Sequence, residues 1–207
     1  MADEPRHVEV IAKLLERKLG TLCPVGPTRK NLFDCLLTAS TWKTTPLGTQ
    51  TLFEGMAVAV FDCLGRAARN PLPVDILRCV KVDEARHTAV GVLPMRRVVQ
   101  EASEEERAGL EDFDFEILET LNANQNLDML RVPGSRYGID PDTIVQVALS
   151  LPEWPELNNK IFMHTVVLNL SRLKLITERT EGLYRQRGII YGDRFGHAID
   201  PDVAAAF

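Results

Sequence analysis

Apolar residues recur at three- and four-residue steps along most of the chain, the spacing of one buried helix face. Residues 4–19 place Val8, Ile11, Leu14, Leu15 and Leu19 on such a face, with Gly20 as the stop. Cys23 to Pro27 reads as a turn, and Thr28 as the cap of a second helix carrying Leu32, Phe33, Leu36 and Leu37. The third unit starts at Trp42 with a polar Lys-Thr-Thr-Pro turn and leads into the most apolar stretch, Gly55 to Leu64. Pro46 and Gly48 predict a break, with Thr49 or Thr51 as the N-cap of the next helix. Leu52, Phe53, Met56, Val60 and Leu64 then recur at helical steps, while Ala57, Ala59 and Ala67 let neighbours approach. A helix apolar on most sides is expected in the middle of a bundle. Asp62, Arg66 and Arg69 flank this one too closely for a membrane span.

Asn70 to Pro73 interrupts the pattern again. Residues 74–92 mix strand formers (Val74, Ile76, Val80, Val82, Val90, Val92) with helix formers (Asp75, Leu77, Glu84, Ala85, Arg86). Their helical surroundings decide for helix. Ser103 to Glu106 is a capping box and opens a helix with Leu110, Phe113, Ile117, Leu118 and Leu121 inward. Residues 122–137 form the longest loop-like stretch and predict a linker between an N-terminal lobe, 1–121, and a C-terminal lobe, 138–207. Asp140-Pro141 starts a short helix, Pro152 and Pro155 end it, and 156–187 predicts one long helix ended by Gly188. The tail from Ile189 lacks a helical period and reads as an arm on its own chain or on a neighbour. The expected fold is an all-α multi-helix bundle in two helical lobes.

Composition adds a soluble-globule balance, 45% hydrophobic and 26% charged. The polar opening, Met1 to His7, predicts no signal peptide. Four cysteines stand singly, Cys23, Cys35, Cys63 and Cys79, and are expected to be reduced core thiols of a cytosolic or nuclear protein. Charge changes the picture more. Residues 1–97 carry 14 basic and 10 acidic side chains, residues 98–156 carry 3 and 14, and residues 157–207 carry 7 and 5. A basic front and an acidic middle suit head-to-tail contact between copies, or describe only a solvated acidic helix face.

Candidate chemistry is sparse. Glu84-Ala85-Arg86-His87 has the Glu-x-x-His spacing that puts two metal ligands on one helix face, and Glu4-Pro5-Arg6-His7 repeats it. A working centre needs both pairs inside bundle helices and glutamates from others. The second pair lies at a terminus with a proline inside it, and His164 and His197 offer no replacement. The expectation is therefore a charged helix turn rather than a di-iron enzyme. No Gly-x-Ser-x-Gly, no P-loop and no zinc spacing of Cys and His occurs. No enzyme, cofactor or metal is expected. Arg66, Arg69, Arg78, Lys81, Arg86, Arg96 and Arg97 fall in a window whose acids are Asp75, Asp83 and Glu84. Gathered on one face they would bind phosphates of lipid head groups or RNA. The window has no aromatic residue for base stacking.

The stretch around Trp42 resembles the matrix protein of orthomyxoviruses, the influenza family. The corresponding residues are Trp42, Lys43, Thr44, Pro46, Gly55, Val60 and Phe61, with Pro24, Gly26 and Pro27 upstream. The likeness covers about forty residues, 22–61, with a shifted gap between Pro46 and Gly55. This chain departs from the family in being shorter and acidic, in having only Arg96-Arg97 for its basic run, and in lacking its Cys/His cluster. The resemblance implies a viral matrix-type structural protein that self-assembles on the inner face of a virion membrane, present also in host cytoplasm or nucleus. Its partners would be further copies, anionic lipid and the viral ribonucleoprotein. A helical nucleocapsid or coat protein binding RNA is the alternative, and a ferritin-like di-iron enzyme a third.

Overall fold

The computed structural model describes residues 3–20, 22, 25–38, 41–122, 131, 138–154 and 158–190. It is all-helical, with no strand among the described residues. The sequence specifies most element ends by local chemistry. Helix α1 (Asp3–Leu19) has Asp3 and Glu4 in its first turn and Arg17 and Lys18 in its last, the charge placement its dipole favours. Gly20 comes next at φ 69°, the left-handed geometry that ends helices. Helix α2 (Pro27–Leu37) starts one residue before Thr28, on Gly26.

The expected break at Pro46 and Gly48 is absent. Helix α3 (Thr44–Pro46) runs through a wide π-helical segment, Leu47–Phe53, directly into α4 (Glu54–Ala67). Pro46 lies in the first turn, where no backbone N–H is needed. Gly48 is buried because a Cβ there would collide with Leu36 Cδ2 and sit 3.3 Å from Phe113 Cζ. It marks close packing, not a stop. Thr51 is fully buried rather than a cap, and Trp42 is 69% exposed.

Helix α5 (Pro71–Glu101) extends the helical reading of 74–92 to 31 residues. Asn70 accepts from Leu72 N at its start, and the prolines of 71–73 open the helix rather than interrupt it. Helix α6 (Glu104–Thr120) has the expected capping box, with Ser103 and Glu106 bonded reciprocally. The 122–137 linker and the tail beyond Ile190 lie largely outside the described residues. Asp140 caps α7 (Pro141–Ser150) as expected.

The single helix expected over 156–187 is instead split. A π-helical turn, Asn159–Met163, leads into α8 (His164–Leu173), and α9 (Glu178–Gln186) comes after a break. Lys174 at φ 59° ends α8, with Leu175 N bonded back to Leu170 O at 3.0 Å. Leu175 is fully buried, and that burial turns the chain where propensity would continue it.

One hydrophobic core joins Leu32, Leu36, Leu52, Met95 and Leu118 with Val166, Leu170, Tyr184 and Ile189, so residues from both expected lobes share it. Helix α4 lies along α5, α8 packs against both, and α1 rests on α5. The expectation of core thiols is corrected: Cys35 and Cys79 are exposed and Cys63 is half-buried, all three free thiols, while Cys23 lies outside the described residues.

Candidate metal centre

The first turn of α1 reads Asp-Glu-Pro-Arg-His and the middle of α5 reads Asp-Glu-Ala-Arg-His, at residues 3–7 and 83–87. Spacing of one helical turn sets Glu4 above His7, and Glu84 above His87, on the same face of each helix. Pro5 breaks nothing, because a first helical turn tolerates it. The terminus is helical, as the 4–19 reading expects, and it is docked on α5. His7 is the only buried residue among the described side chains of α1.

The two motifs meet antiparallel. His7 Nε2 lies 3.1 Å from Asp83 Oδ2, and His87 Nε2 lies 3.1 Å from Asp3 Oδ2. Arg6 bridges both aspartates, at 2.6 Å to Asp3 and 3.0 Å to Asp83, and Arg86 also pairs with Asp83. The opposite ring nitrogens face inward. His87 Nδ1 is 2.8 Å from Glu4 Oε1, 3.6 Å from Glu84 Oε2 and 3.9 Å from Glu54 Oε2, and His7 Nδ1 is 3.2 Å from Glu84 Oε1. Glu54 comes from α4, immediately after its π-helical segment, an irregularity common at functional sites.

Ligand atoms of Glu4, Glu54, Glu84 and His87 all lie within 4.8 Å of one another. Glu84, His7 and His87 are 5%, 5% and 7% exposed. Yet Glu4 Oε1, Glu54 Oε2, Glu84 Oε2 and both Nδ1 atoms have no hydrogen-bond partner outside the cluster. Their contacts are with one another, carboxylate to imidazole; buried polar atoms normally have partners, and a convergence of donor atoms on one point is what a cation site provides. An aspartate behind each imidazole is the arrangement that fixes the tautomer of a metal-bound histidine.

The electrostatics agree. Burial pushes the Glu54 carboxyl up to about 7, and burial with the nearby Glu4 raises Glu84. The His7 hydrogen bond, with Arg6 and Arg86, holds Asp83 down at about 2, and the His87 bond lowers Asp3. Burial acts to lower His87, but Asp3, Glu54, Glu4 and Glu84 raise it overall. Ionised Asp83 can only accept, so His7 Nε2 carries a proton and Nδ1 is the atom presented inward. Carboxylates and imidazoles with no thiolate among them suit manganese, iron or zinc as divalent ions.

The seven basic residues singled out from sequence divide. Arg66 and Lys81 both pair with Asp62, at 2.7 and 2.6 Å. Arg69 is exposed on the short connection after α4. Arg78, Arg86, Arg96 and Arg97 form an exposed stripe along α5 with Val82, Ala89 and Leu93, at steps of three and four residues. Arg78 pairs with Asp75, and Arg97 with Glu101. Sequence reasoning finds both Glu-x-x-His pairs but neither Glu54 nor the two aspartates. The legible signal is the five-residue pattern itself, Asp-Glu-x-Arg-His, occurring twice. No protein-family model, curated protein or solved structure matches this chain.

Proposed function

We propose that this chain is a metal-binding helical protein whose buried centre takes a divalent transition ion through Glu4, Glu54, Glu84 and His87, with His7 alongside. One observation carries the reading: buried, inward-facing ligand atoms from three helices converge with no hydrogen-bond partner outside the cluster, and an aspartate stands behind each imidazole. Bound there, an ion replaces protons and relieves repulsion between carboxylates. A carboxylate-rich site of this kind supports Lewis-acid or redox chemistry. The test is metal analysis after chelation, reloading with Mn²⁺, Fe²⁺ or Zn²⁺, and gel filtration. Retention of ion by the wild type and its loss from His87→Ala are expected. A wild type that retains no ion in any of the three loadings overturns the reading.

The stripe on α5 favours a second reading, the matrix-type role implied by the resemblance to orthomyxovirus matrix proteins. Val82, Val90 and Leu93 are 52%, 60% and 62% exposed between Arg78, Arg86, Arg96 and Arg97. A basic, apolar helix face is the kind that lies on an anionic membrane surface, and no helix among the described residues is long and apolar enough to cross one. Copies would assemble side by side on that surface. Salt-sensitive flotation with phosphatidylserine liposomes, lost in the doubly substituted Arg96→Glu/Arg97→Glu protein, is expected. Binding to single-stranded RNA without flotation would favour the nucleocapsid alternative instead.

A further inference from the structure

Resting on the metal reading, we infer that the centre is dinuclear and lopsided, with one ion held by more protein ligands and a second left more open to a small oxygen donor. One ion needs all its ligands about 2.0–2.2 Å from a common point, so ligand atoms of one ion lie close together. Glu4, Glu54, Glu84 and His87 satisfy that closeness, and His7 stands outside the set. Yet His7 Nδ1 is 3.2 Å from Glu84 Oε1 and 3.7 Å from Glu4 Oε1. Glu84 therefore divides its two oxygens, Oε1 toward His7 and Oε2, at 3.6 Å, toward His87. Glu4 Oε1 stands between the two rings, 2.8 Å from His87 Nδ1. Two carboxylates that each serve both imidazoles are bridges, and bridged ions sit about 3.5–4 Å apart.

The two ends are not equal. The His87 end holds His87, Glu84, Glu4 and the terminal Glu54, all within the set of four. The His7 end holds His7, Glu84 and Glu4. Among the described residues no carboxylate besides Glu4 and Glu84 comes within 4 Å of His7 Nδ1, and Glu4 is the most exposed ligand, at 44%. The ion at His7 thus keeps positions for an oxygen donor entering past Glu4, either water or a small oxyanion such as carboxylate or phosphate. The ion at His87 keeps fewer, because Glu54 adds a protein ligand there. Three side chains of the cluster, Glu84, His7 and His87, are more than nine-tenths buried. Glu84 Oε2 and both Nδ1 atoms have no hydrogen-bond partner outside the cluster, and that points to a ligand independently of the acidic character of the site.

The test is a Mn²⁺ titration of the full chain, read by stoichiometry and by electron paramagnetic resonance. Wild type is expected to take two ions per chain in two steps, with a spin-coupled signal after the second. His7→Ala, with His7→Gln as the size-preserving check, should take one ion and show no coupling. The aspartates separate the ends. Asp83→Asn should weaken the second step about 10–100-fold and spare the first, and Asp3→Asn should weaken the first, since outer partners of a metal-bound imidazole have effects of that size. Circular dichroism confirms that each variant is folded. One ion per chain in the wild type, with binding unchanged in His7→Gln, overturns the dinuclear inference and leaves the metal reading standing. No ion bound at all overturns the metal reading itself.

Discussion

Glu84→Gln distinguishes a metal centre from a structural ion-pair network by the sign of its effect. Glu84 is 5% exposed, and its nearest ligand atoms on Glu4 and Glu54 lie within 4.8 Å. Two unit charges at that separation repel by about 3 kcal/mol at an effective dielectric constant near 20. The two histidines offset part of this, but burial and Glu4 leave the Glu84 carboxyl raised. An acid whose folded value is raised binds its proton more tightly when folded. Its charge therefore costs stability at every pH above the unfolded value, near 4.5. Neutralising it should stabilise the metal-free protein by about 1–2 kcal/mol, which is about 2–8 °C in Tm for a chain of this size. With ion at one hundred times its Kd, wild type should gain about 2.7 kcal/mol, while the variant, lacking a bridge, gains little. Thermal melts in chelator and in saturating Mn²⁺ give both comparisons. If Glu84→Gln melts below wild type by the same margin in both conditions, the cluster is structural and the metal argument fails.

Other consequences are independent of one another. Chelation should lower hydrogen-exchange protection across residues 3–18 and leave α6 and α8 unchanged, because the inward grip of α1 is the polar cluster around His7. Equal protection of α1 with and without ion would count against it. Asp114 is fully buried with neither oxygen bonded, and burial, with Glu111 adding, holds its carboxyl well above the usual range. Its contribution to stability falls as pH rises from about 4 toward neutrality, so Asp114→Leu should stabilise by about 1–3 kcal/mol at pH 8 and less at pH 5, read by urea melts. Gly48→Ala drives a methyl into Leu36 and against Phe113, and should cost about 1–3 kcal/mol. A variant as stable as wild type would mean that α2 shifts freely.

Most helix ends are legible in the sequence because their causes are local. The Ser103–Glu106 box, the Asp140 cap and the Gly20 stop each need only a few adjacent residues. The departures share a different cause. Gly48 resembles a breaker until Leu36 and Phe113 are known to press on it, and nothing before Lys174 announces that Leu175 must turn inward to be buried. Exposed Cys35 and Cys79 show the same limit, since burial of a small apolar residue is decided by which face its helix turns to solvent. Tertiary packing makes these choices, and it leaves no periodic trace in the chain.

The centre marks the sharpest case of that limit. Both Glu-x-x-His pairs are readable, but Pro5 and the terminal position argue against the first pair as part of a bundle-helix site. Proline in a first turn is permissive, so that objection has no force once α1 begins at Asp3. Pairing of His7 with Asp83 across a sequence separation of 76 cannot be read from spacing, although the repeated Asp-Glu-x-Arg-His hints at it. Each motif supplies the aspartate that orients the other's histidine, so neither is complete alone. Burying two imidazoles among five carboxylates, those of Asp3, Glu4, Glu54, Asp83 and Glu84, lowers the stability of the empty bundle. A fold that only needed to hold α1 in place would do so more firmly with leucines. That these residues face inward instead is the physical case for an ion between them.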